Sequence, residues 1–242
     1  MANTYTQIYV HIVFAVEGRQ SLIAPEHNDE LQKYITGIVS AEKHKLIAIN
    51  NMPDHLHLLV GLRPMVQDIP DDDWLLRPAL APLLAAMARN SLVFDALVLP
   101  RHLPRLLRLA DDHPGVQFVL DHCAKPRLAT GEIADWQGDV ALLAERPNIV
   151  CKLSGLATEA AMGWQITDLR KAVDHVVTCF GTDRLMWGSD WPVVNLAGGY
   201  EKWFAATEAL LADLSADEKA AIFGDNAARI YLSSRGRNVD AN

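Results

Sequence analysis

The chain lacks any long uninterrupted apolar run, although 50% of its 242 residues are hydrophobic. No run approaches the roughly 18 apolar residues that a transmembrane helix needs, so we expect no membrane-spanning segment. The first residues also lack a positively charged stretch ahead of an apolar block, which argues against a signal peptide. We therefore expect a cytoplasmic protein with enough apolar material for a core, and the composition excludes a disordered chain.

Cysteine is scarce, because the chain contains only Cys123, Cys151 and Cys179. Their odd number and wide spacing argue against a disulfide framework and against a Cys-x-x-Cys metal site. We expect three reduced thiols in the core of a protein from a reducing compartment.

A surplus of basic residues is missing as well. The chain has 22 Lys and Arg against 30 Asp and Glu, a net charge of −8. Residues 1–64 carry five basic and six acidic side chains, and the remainder carries 17 and 24. Proteins that bind nucleic acids usually need a basic surplus to neutralise phosphates. The total charge thus argues against nucleic-acid binding, although a local basic patch is compatible with an acidic total.

The stretch of residues 55–67 is where the character of the sequence changes. Residues 56–66 are almost uniformly apolar and contain Gly61, with prolines on both flanks, a pattern that predicts a buried strand. His55 and His57 are spaced i, i+2, so both side chains point to one face of that strand, where two imidazoles can bind one metal ion. His-x-His is also common by chance. The alternative is a pair of ring-sized side chains on a partly exposed face.

Residues 1–64 show the pattern of a β-α-β-β unit. A predicted strand over residues 5–16 is followed by a helix that Pro25 begins. Residues 45–50 and 55–62 are the next two predicted strands. This order makes most of a ferredoxin-like unit but does not complete one.

The segments MANTYTQIYVHIVFAVEGRQ and HKLIAINNMPDHLHLLVGLRP resemble the N-terminal half of the IS200-type (HUH, single-tyrosine) transposases. The resemblance covers about residues 1–64. It implies that His55 and His57 bind a divalent ion that polarises a scissile phosphate, and that this region binds single-stranded or hairpin DNA. The later helix with the catalytic tyrosine is missing, since Tyr200 and Tyr231 lie in an unrelated context. Cleavage by this mechanism is therefore not expected.

From residue 92 onward, predicted strands and helices alternate. The strands begin near residues 92, 116, 148 and 184, and this period of about 25–35 residues is typical of βα units in a parallel sheet or barrel. Two final helices are predicted over residues 200–211 and 215–223, and the second begins with a capping box.

Three titratable residues lie at the ends of these predicted strands. His122, Lys152 and Asp190 each close an apolar run, at the end of the strand where βα proteins place their chemistry. A single His or Lys in this position is more often a hydrogen-bonded residue of the rim. Three of them at the same level of successive strands favour an active site.

The segments FVLDHCAKP, NIVCKLSGL and DRLMWGSDWPV resemble the amidohydrolase-related lactonases, which hydrolyse sugar lactones and dicarboxylate lactones. The resemblance runs from about residue 59 to residue 232. It implies a (β/α)₈ barrel in which Asp190 is the general base that activates water. His122 and Lys152, together with Arg63, would polarise the lactone carbonyl or hold a substrate carboxylate. Trp191 is the further substrate-binding candidate.

The sequence departs from this family in three places. The first three βα units are absent, and with them the His-x-His of the first strand. Pro64 stands where the fourth strand usually carries a histidine. Whether the site uses a divalent metal ion (Zn, Mn or Mg) or is metal-free stays open.

The expected fold class is α/β: an incomplete (β/α)₈ TIM barrel of about five βα units, preceded by a ferredoxin-like β-α-β-β fragment. The expected bounds are residues 1–64, residues 65–232 and a disordered tail of residues 233–242. A gene fusion within a shared LVGLR strand is the simplest history. The expected partner is a small-molecule lactone, and a homo-oligomer that covers the open sheet is a further possibility.

Three functions stay open for such a fusion. The first is a lactonase, which covers most of the chain but has lost barrel strands. The second is a transposase fragment that binds hairpin DNA without cutting it, and a salt-sensitive gel shift of labelled hairpin DNA decides this case. The third is a non-catalytic fusion product.

Overall fold

The computed structural model describes residues 7–15, 49–52 and 55–232, and side chains from residue 61 to residue 231. The strands are β1 (Gln7–Ala15), β2 (Ile49–Met52), β3 (His55–Pro64), β4 (Val93–Ala96), β5 (Gln117–Leu120), β6 (Ile149–Leu153) and β7 (Leu185–Trp187). They form one sheet in the order β1-β3-β4-β5-β6-β7, and β2 also pairs with β3. The five strands from β3 to β7 are parallel, which confirms the predicted α/β class and its five parallel strands.

Helices lie between the parallel strands and after the last of them. They are α1 (Ala81–Arg89), α2 (Leu103–Asp112), α3 (Ala134–Ala144), α4 (Leu156–Glu159), α5 (Ile166–Phe180), α6 (Gly199–Leu210) and α7 (Ala216–Ala220). Short 3-10 turns lie at Val66–Asp68, Trp74–Leu76, Pro78–Leu80, Pro100–His102, Asp121–Ala124, Thr182–Arg184 and Val193–Ala197, and π-helical turns at Ala221–Asp225 and Ala228–Leu232. Within the described ranges, no helix is both long enough and apolar enough to cross a membrane.

Strand β3 belongs to both halves of the chain. Along one edge it pairs antiparallel with β1 over its whole length, and along the other it pairs first with β2 and then, in parallel, with β4. Gly61 lies beside Val93 in the parallel part. A Cβ atom at Gly61 would lie 2.5 Å from the Val93 carbonyl oxygen, so glycine permits the close approach of β3 and β4 at this point. The strand at which the sequence changes character is thus a structural part of the sheet.

The two faces of the parallel sheet have different coverings. Side chains on one face, such as Phe94 and Phe118, pack into the large core beneath α2, α3 and α5. The opposite face, called the inner face below, carries a smaller cluster of Val93, Val119, Val150, Met186 and Ile230. Ile230 comes from the C-terminal π-helical turn, so the end of the described chain lies against the inner face of the sheet.

The end of the last strand differs from the prediction. The last strand was expected to reach Asp190, but β7 ends at Trp187. Asp190 has a φ of +57°, a left-handed conformation that no strand residue adopts. The capping box is confirmed, because Ser215 Oγ accepts from the Glu218 N–H and Glu218 Oε2 accepts from the Ser215 N–H. The predicted helix after Pro25 and the tail of residues 233–242 lie outside the described residues.

The three cysteines are free, as expected. Cys123 and Cys151 are fully buried with their sulfur atoms 3.8 Å apart, and Cys179 is only partly buried. The prediction of core thiols is thus confirmed for two of the three.

Candidate active site

Side chains alternate between the two faces of each strand, and this alternation places a group of charged residues on one face of the sheet. Side chains two residues apart on a strand share a face. Val93, Val119 and Val150 point to the inner face of the sheet, so the next inward positions toward the carboxyl ends are Asp95, Asp121 and Lys152. On β3, Arg63 follows Gly61 in the same way and reaches Asp121.

These four residues form one ion-pair network. Lys152 Nζ donates to Asp95 Oδ1 at 2.6 Å and lies 3.2 Å from Asp121 Oδ1. Arg63 Nη1 donates to Asp121 Oδ2, also at 3.2 Å. Asp95 and Asp121 are buried, whereas the side chains of Lys152 and Arg63 are 20% and 33% exposed. The two cations therefore separate the buried carboxylates from the open side of the site.

Burial and pairing act in opposite directions on the pKa values of this network. Burial raises the pKa of Asp95 above its usual value, although Lys152 opposes the shift. Burial also disfavours the charge on Asp121, but Lys152, His122 and Arg63 outweigh it and lower the Asp121 pKa. Burial likewise opposes the charge on Lys152, and the two carboxylates raise the Lys152 pKa well above its ordinary value. The two carboxylates therefore favour the charged form of Lys152, which makes it a poor proton acceptor.

Tyr231 closes the network from the C-terminal turn. Its hydroxyl donates to Asp95 Oδ1 at 2.5 Å, and Lys152 Nζ lies 5.3 Å from the centre of its ring. Burial, reinforced by the nearby Asp95 carboxylate, raises the pKa of Tyr231 well above the ordinary value. The phenol therefore keeps its proton and remains a hydrogen-bond donor.

His122 lies in an unusual stretch of backbone just after β5. Residues 122–125 all have φ between +51° and +58°, a left-handed turn that L-residues rarely adopt. The turn directs the His122 ring toward β6, where Nδ1 lies 2.8 Å from Ser154 Oγ. A Cβ atom at Gly155 would lie 2.6 Å from the His122 Cβ, so only glycine fits beside this ring.

Asp190 faces His122 across the site. Its Oδ1 lies 3.6 Å from His122 Nε2, and its Oδ2 lies 3.4 Å from Thr158 Oγ1, whose single proton is donated to the Gly155 carbonyl oxygen at 2.8 Å. The Asp190 side chain is 13% exposed, and its left-handed φ turns the carboxylate back over the sheet. Asp190 is therefore partly accessible, and the contact with Thr158 holds it only weakly.

The structure brings most of the predicted site residues together. Arg63, His122, Lys152 and Asp190 meet at the carboxyl ends of the parallel strands. Trp191 follows Asp190 and is 68% exposed. His55 and His57 lie on β3, opposite Ala15 and Val13 of β1, and their side chains lie outside the described residues. The roles assigned to all seven residues stay predictions.

Four further residues of the site were missed by the sequence analysis. Asp95 and Asp121 carried a signal, because a charge inside or directly after a largely apolar, buried strand is rare unless it is paired. Ser154 lies two residues after Lys152 and carried no signal of its own. Tyr231 had been set aside as lying in an unrelated context, and only the folded chain brings it to Asp95.

A parallel sheet with its polar residues at the carboxyl ends of the strands is the arrangement of barrel hydrolases. Residues 55–232 match the amidohydrolase family, and the chain belongs to that family. Residues 4–68 match the IS200-like transposases, which confirms the resemblance of the N-terminal part to that family. The two matches overlap at residues 55–68, the stretch that contains β3.

The relatives are lactonases and amidohydrolases. The chain is 45% identical over 179 residues to an L-fucono-1,5-lactonase of Burkholderia ambifaria, an alignment that covers 72% of this chain and 62% of that protein. The crystal structure of a Burkholderia multivorans amidohydrolase with bound HEPES is 36% identical, with a TM-score of 0.70, over 74% of this chain and 66% of that one. A zinc-bound structure of an amidohydrolase from the same organism is 32% identical, with a TM-score of 0.70, over 87% and 70%. This chain thus spans less than two thirds of the length of the lactonase.

The described residues do not fit a metal ion. No three His, Cys, Asp or Glu side chains between residues 61 and 231 are arranged as ligands. The carboxylates of Asp95 and Asp121 are already paired with the cations of Lys152 and Arg63. Binding of a divalent ion by His55 and His57 stays a prediction.

Proposed function

We propose that this chain hydrolyses a small lactone by direct attack of water on the ring carbonyl. The observation that carries the proposal is the pairing of His122 and Asp190 at 3.6 Å, beside the cations of Lys152 and Arg63, at the carboxyl end of the sheet. A sugar lactone is the first substrate class to test, because the relative from Burkholderia ambifaria acts on L-fucono-1,5-lactone.

Asp190 would act as the general base. Thr158 Oγ1 donates to the Gly155 carbonyl oxygen and lies on the Oδ2 side of Asp190, which leaves Oδ1 to accept the proton of the attacking water. The water oxygen forms a bond to the carbonyl carbon, and the electron pair of the C=O bond moves to the carbonyl oxygen. When the tetrahedral intermediate collapses, the bond to the ring oxygen breaks. Asp190 then returns the proton to that oxygen, so the product is an open-chain hydroxy acid.

Lys152, Arg63 and His122 would stabilise the negative charge. Lys152 directs its donors at Asp95, Asp121 and the side chain of Tyr231, so its positive charge would act on the developing oxyanion. Arg63 uses Nη1 for Asp121 and its Nε is buried, so its Nη2 group would donate to the substrate. Donors aimed at the developing oxyanion are usually the largest single contribution to such a reaction.

Trp191 would contact the sugar ring. The indole is largely exposed and directly follows Asp190. A flat apolar ring beside a catalytic carboxylate is suited to packing against the C–H face of a lactone.

The test is hydrolysis of sugar and dicarboxylate lactones by the full chain and by Asp190→Asn. We expect the variant to lose at least about a hundredfold in kcat, because a positioned general base contributes about that factor or more. The matched control is Asp112→Asn, an exposed carboxylate at the end of α2. Turnover by Asp190→Asn equal to that of the control would overturn the role of Asp190.

A further inference from the structure

We infer that Ser154 holds His122 as the tautomer protonated at Nε2, so that His122 is a hydrogen-bond donor in the site and not the base. The tautomer stands on the geometry alone. Its catalytic consequence rests on the proposed lactone hydrolysis. Ser154 is thus a positioning residue that acts through His122.

The Ser154 hydroxyl needs an acceptor for its proton. Ser154 is only 1% exposed, and a buried hydroxyl that donates to nothing is costly. Its Oγ lies 2.8 Å from His122 Nδ1, and the described side chains and backbone offer the hydroxyl no other hydrogen-bond partner. Donation from Ser154 places the proton on Oγ and leaves Nδ1 with a free lone pair. A neutral imidazole then carries its proton on Nε2.

The other side of the ring leads to the same assignment. Nε2 faces two carboxylate oxygens, Asp190 Oδ1 at 3.6 Å and Asp121 Oδ2 at 3.9 Å. An unprotonated Nε2 would direct its lone pair at two negative groups, whereas an N–H is attracted to both. The hydroxyl at Nδ1 and the carboxylates at Nε2 therefore favour the same tautomer independently.

The packing keeps the ring in this position. Gly155 has a φ of +68°, and a Cβ atom there would lie 2.9 Å from His122 Nδ1 as well as close to the ring carbons. The Ser154-Gly155 pair therefore provides both the hydrogen bond and the space for the imidazole. Gly188 packs against Ser154 in turn, since its Cβ position lies 3.1 Å from Ser154 Cβ.

This assignment divides the chemistry between two residues. With its proton on Nε2, His122 can donate to the carbonyl oxygen of a lactone but cannot accept the proton of water at that atom. Asp190 is then the acceptor. The second-nearest carboxylate, Asp121, is already paired with Lys152 and Arg63.

The direct test is ¹⁵N NMR of the full chain labelled at histidine, with the His122 signals identified by their loss in His122→Gln. At neutral pH we expect His122 Nδ1 in the unprotonated range and Nε2 in the protonated range. The Ser154→Ala variant should shift the two signals only part of the way toward an average of both tautomers, because the carboxylates at Nε2 still favour the same tautomer, and Ser154→Thr, which keeps the hydroxyl, should restore them. A wild-type spectrum with the proton on Nδ1, or with both nitrogens protonated, would overturn the inference.

Kinetics separate this inference from the proposed function. We expect Ser154→Ala to lower kcat about tenfold with little change in KM, since one orienting hydrogen bond is lost. Thermal unfolding of the same samples shows whether the variant is folded. The expected spectrum without turnover of any lactone would refute the catalytic role but not the tautomer. Full turnover by a folded Ser154→Ala would show that the tautomer has no catalytic consequence.

Discussion

The close approach of Gly155 to His122 can be tested by a single methyl group. The Gly155→Ala variant adds a Cβ atom at a position 2.6 Å from His122 Cβ and 2.8 Å from Cγ, where carbon atoms normally stay about 3.5–4.0 Å apart. It also forces alanine into a left-handed conformation, since φ is +68°. Two separate costs therefore act at one buried residue.

The magnitude follows from these two costs. A left-handed conformation costs a residue with a Cβ about 1–2 kcal/mol. Forcing an additional carbon into a packed region costs a further ~1–3 kcal/mol. We expect Gly155→Ala to lower the free energy of unfolding by about 2–5 kcal/mol.

The chain contains a matched control. Gly163 also has a left-handed φ, +79°, but its Cβ position has no atom within 4 Å. The Gly163→Ala variant therefore incurs the backbone cost alone, about 1–2 kcal/mol. Urea unfolding of both variants and the wild type measures the difference. Equal losses would refute the packing of Gly155 against His122 and weaken the tautomer argument with it.

Two further predictions concern the buried network. The Tyr231→Phe variant should lower the unfolding free energy by about 2 kcal/mol, because a hydrogen bond to the Asp95 carboxylate is lost. The control Tyr200→Phe, at a ring that is 44% exposed and stacks on Phe204, should change it by less than about 0.5 kcal/mol, and equal effects would contradict the contact with Asp95. Since the pKa of Asp121 is lowered in the folded state, its contribution to stability is present above about pH 4 and is lost as the pH falls through its folded pKa. The Asp121→Asn variant should thus show a flatter loss of stability with acid in urea unfolding, and an unchanged slope would contradict the pairing.

Strand-end residues were the part of the site that the sequence could predict. His122, Lys152 and Asp190 close apolar runs, and parallel strands bring their carboxyl ends to one edge of the sheet. The position of Arg63 followed from the resemblance to the lactonases. None of this reasoning needed the orientation of any side chain.

The partners of these residues could not be predicted in the same way. Tyr231 is 136 residues away from Asp95, and only the packing of the C-terminal turn against the inner face of the sheet brings them together. The contact of Ser154 with His122 likewise depends on the left-handed turn after β5 and on the space at Gly155. The pattern of residue types along the sequence contains neither contacts between distant residues nor the φ angles of a turn.

The sequence by itself determined the α/β class, the five parallel strands, the shared strand β3 and the two family resemblances. These properties follow from apolar periodicity and from local motifs, which are short-range features of the chain. The tertiary structure alone decided which charges are paired, which nitrogen of His122 faces Asp190, and that Lys152 is bound by two carboxylates. These facts depend on distances between strands and on burial, and such quantities exist only after the chain has folded.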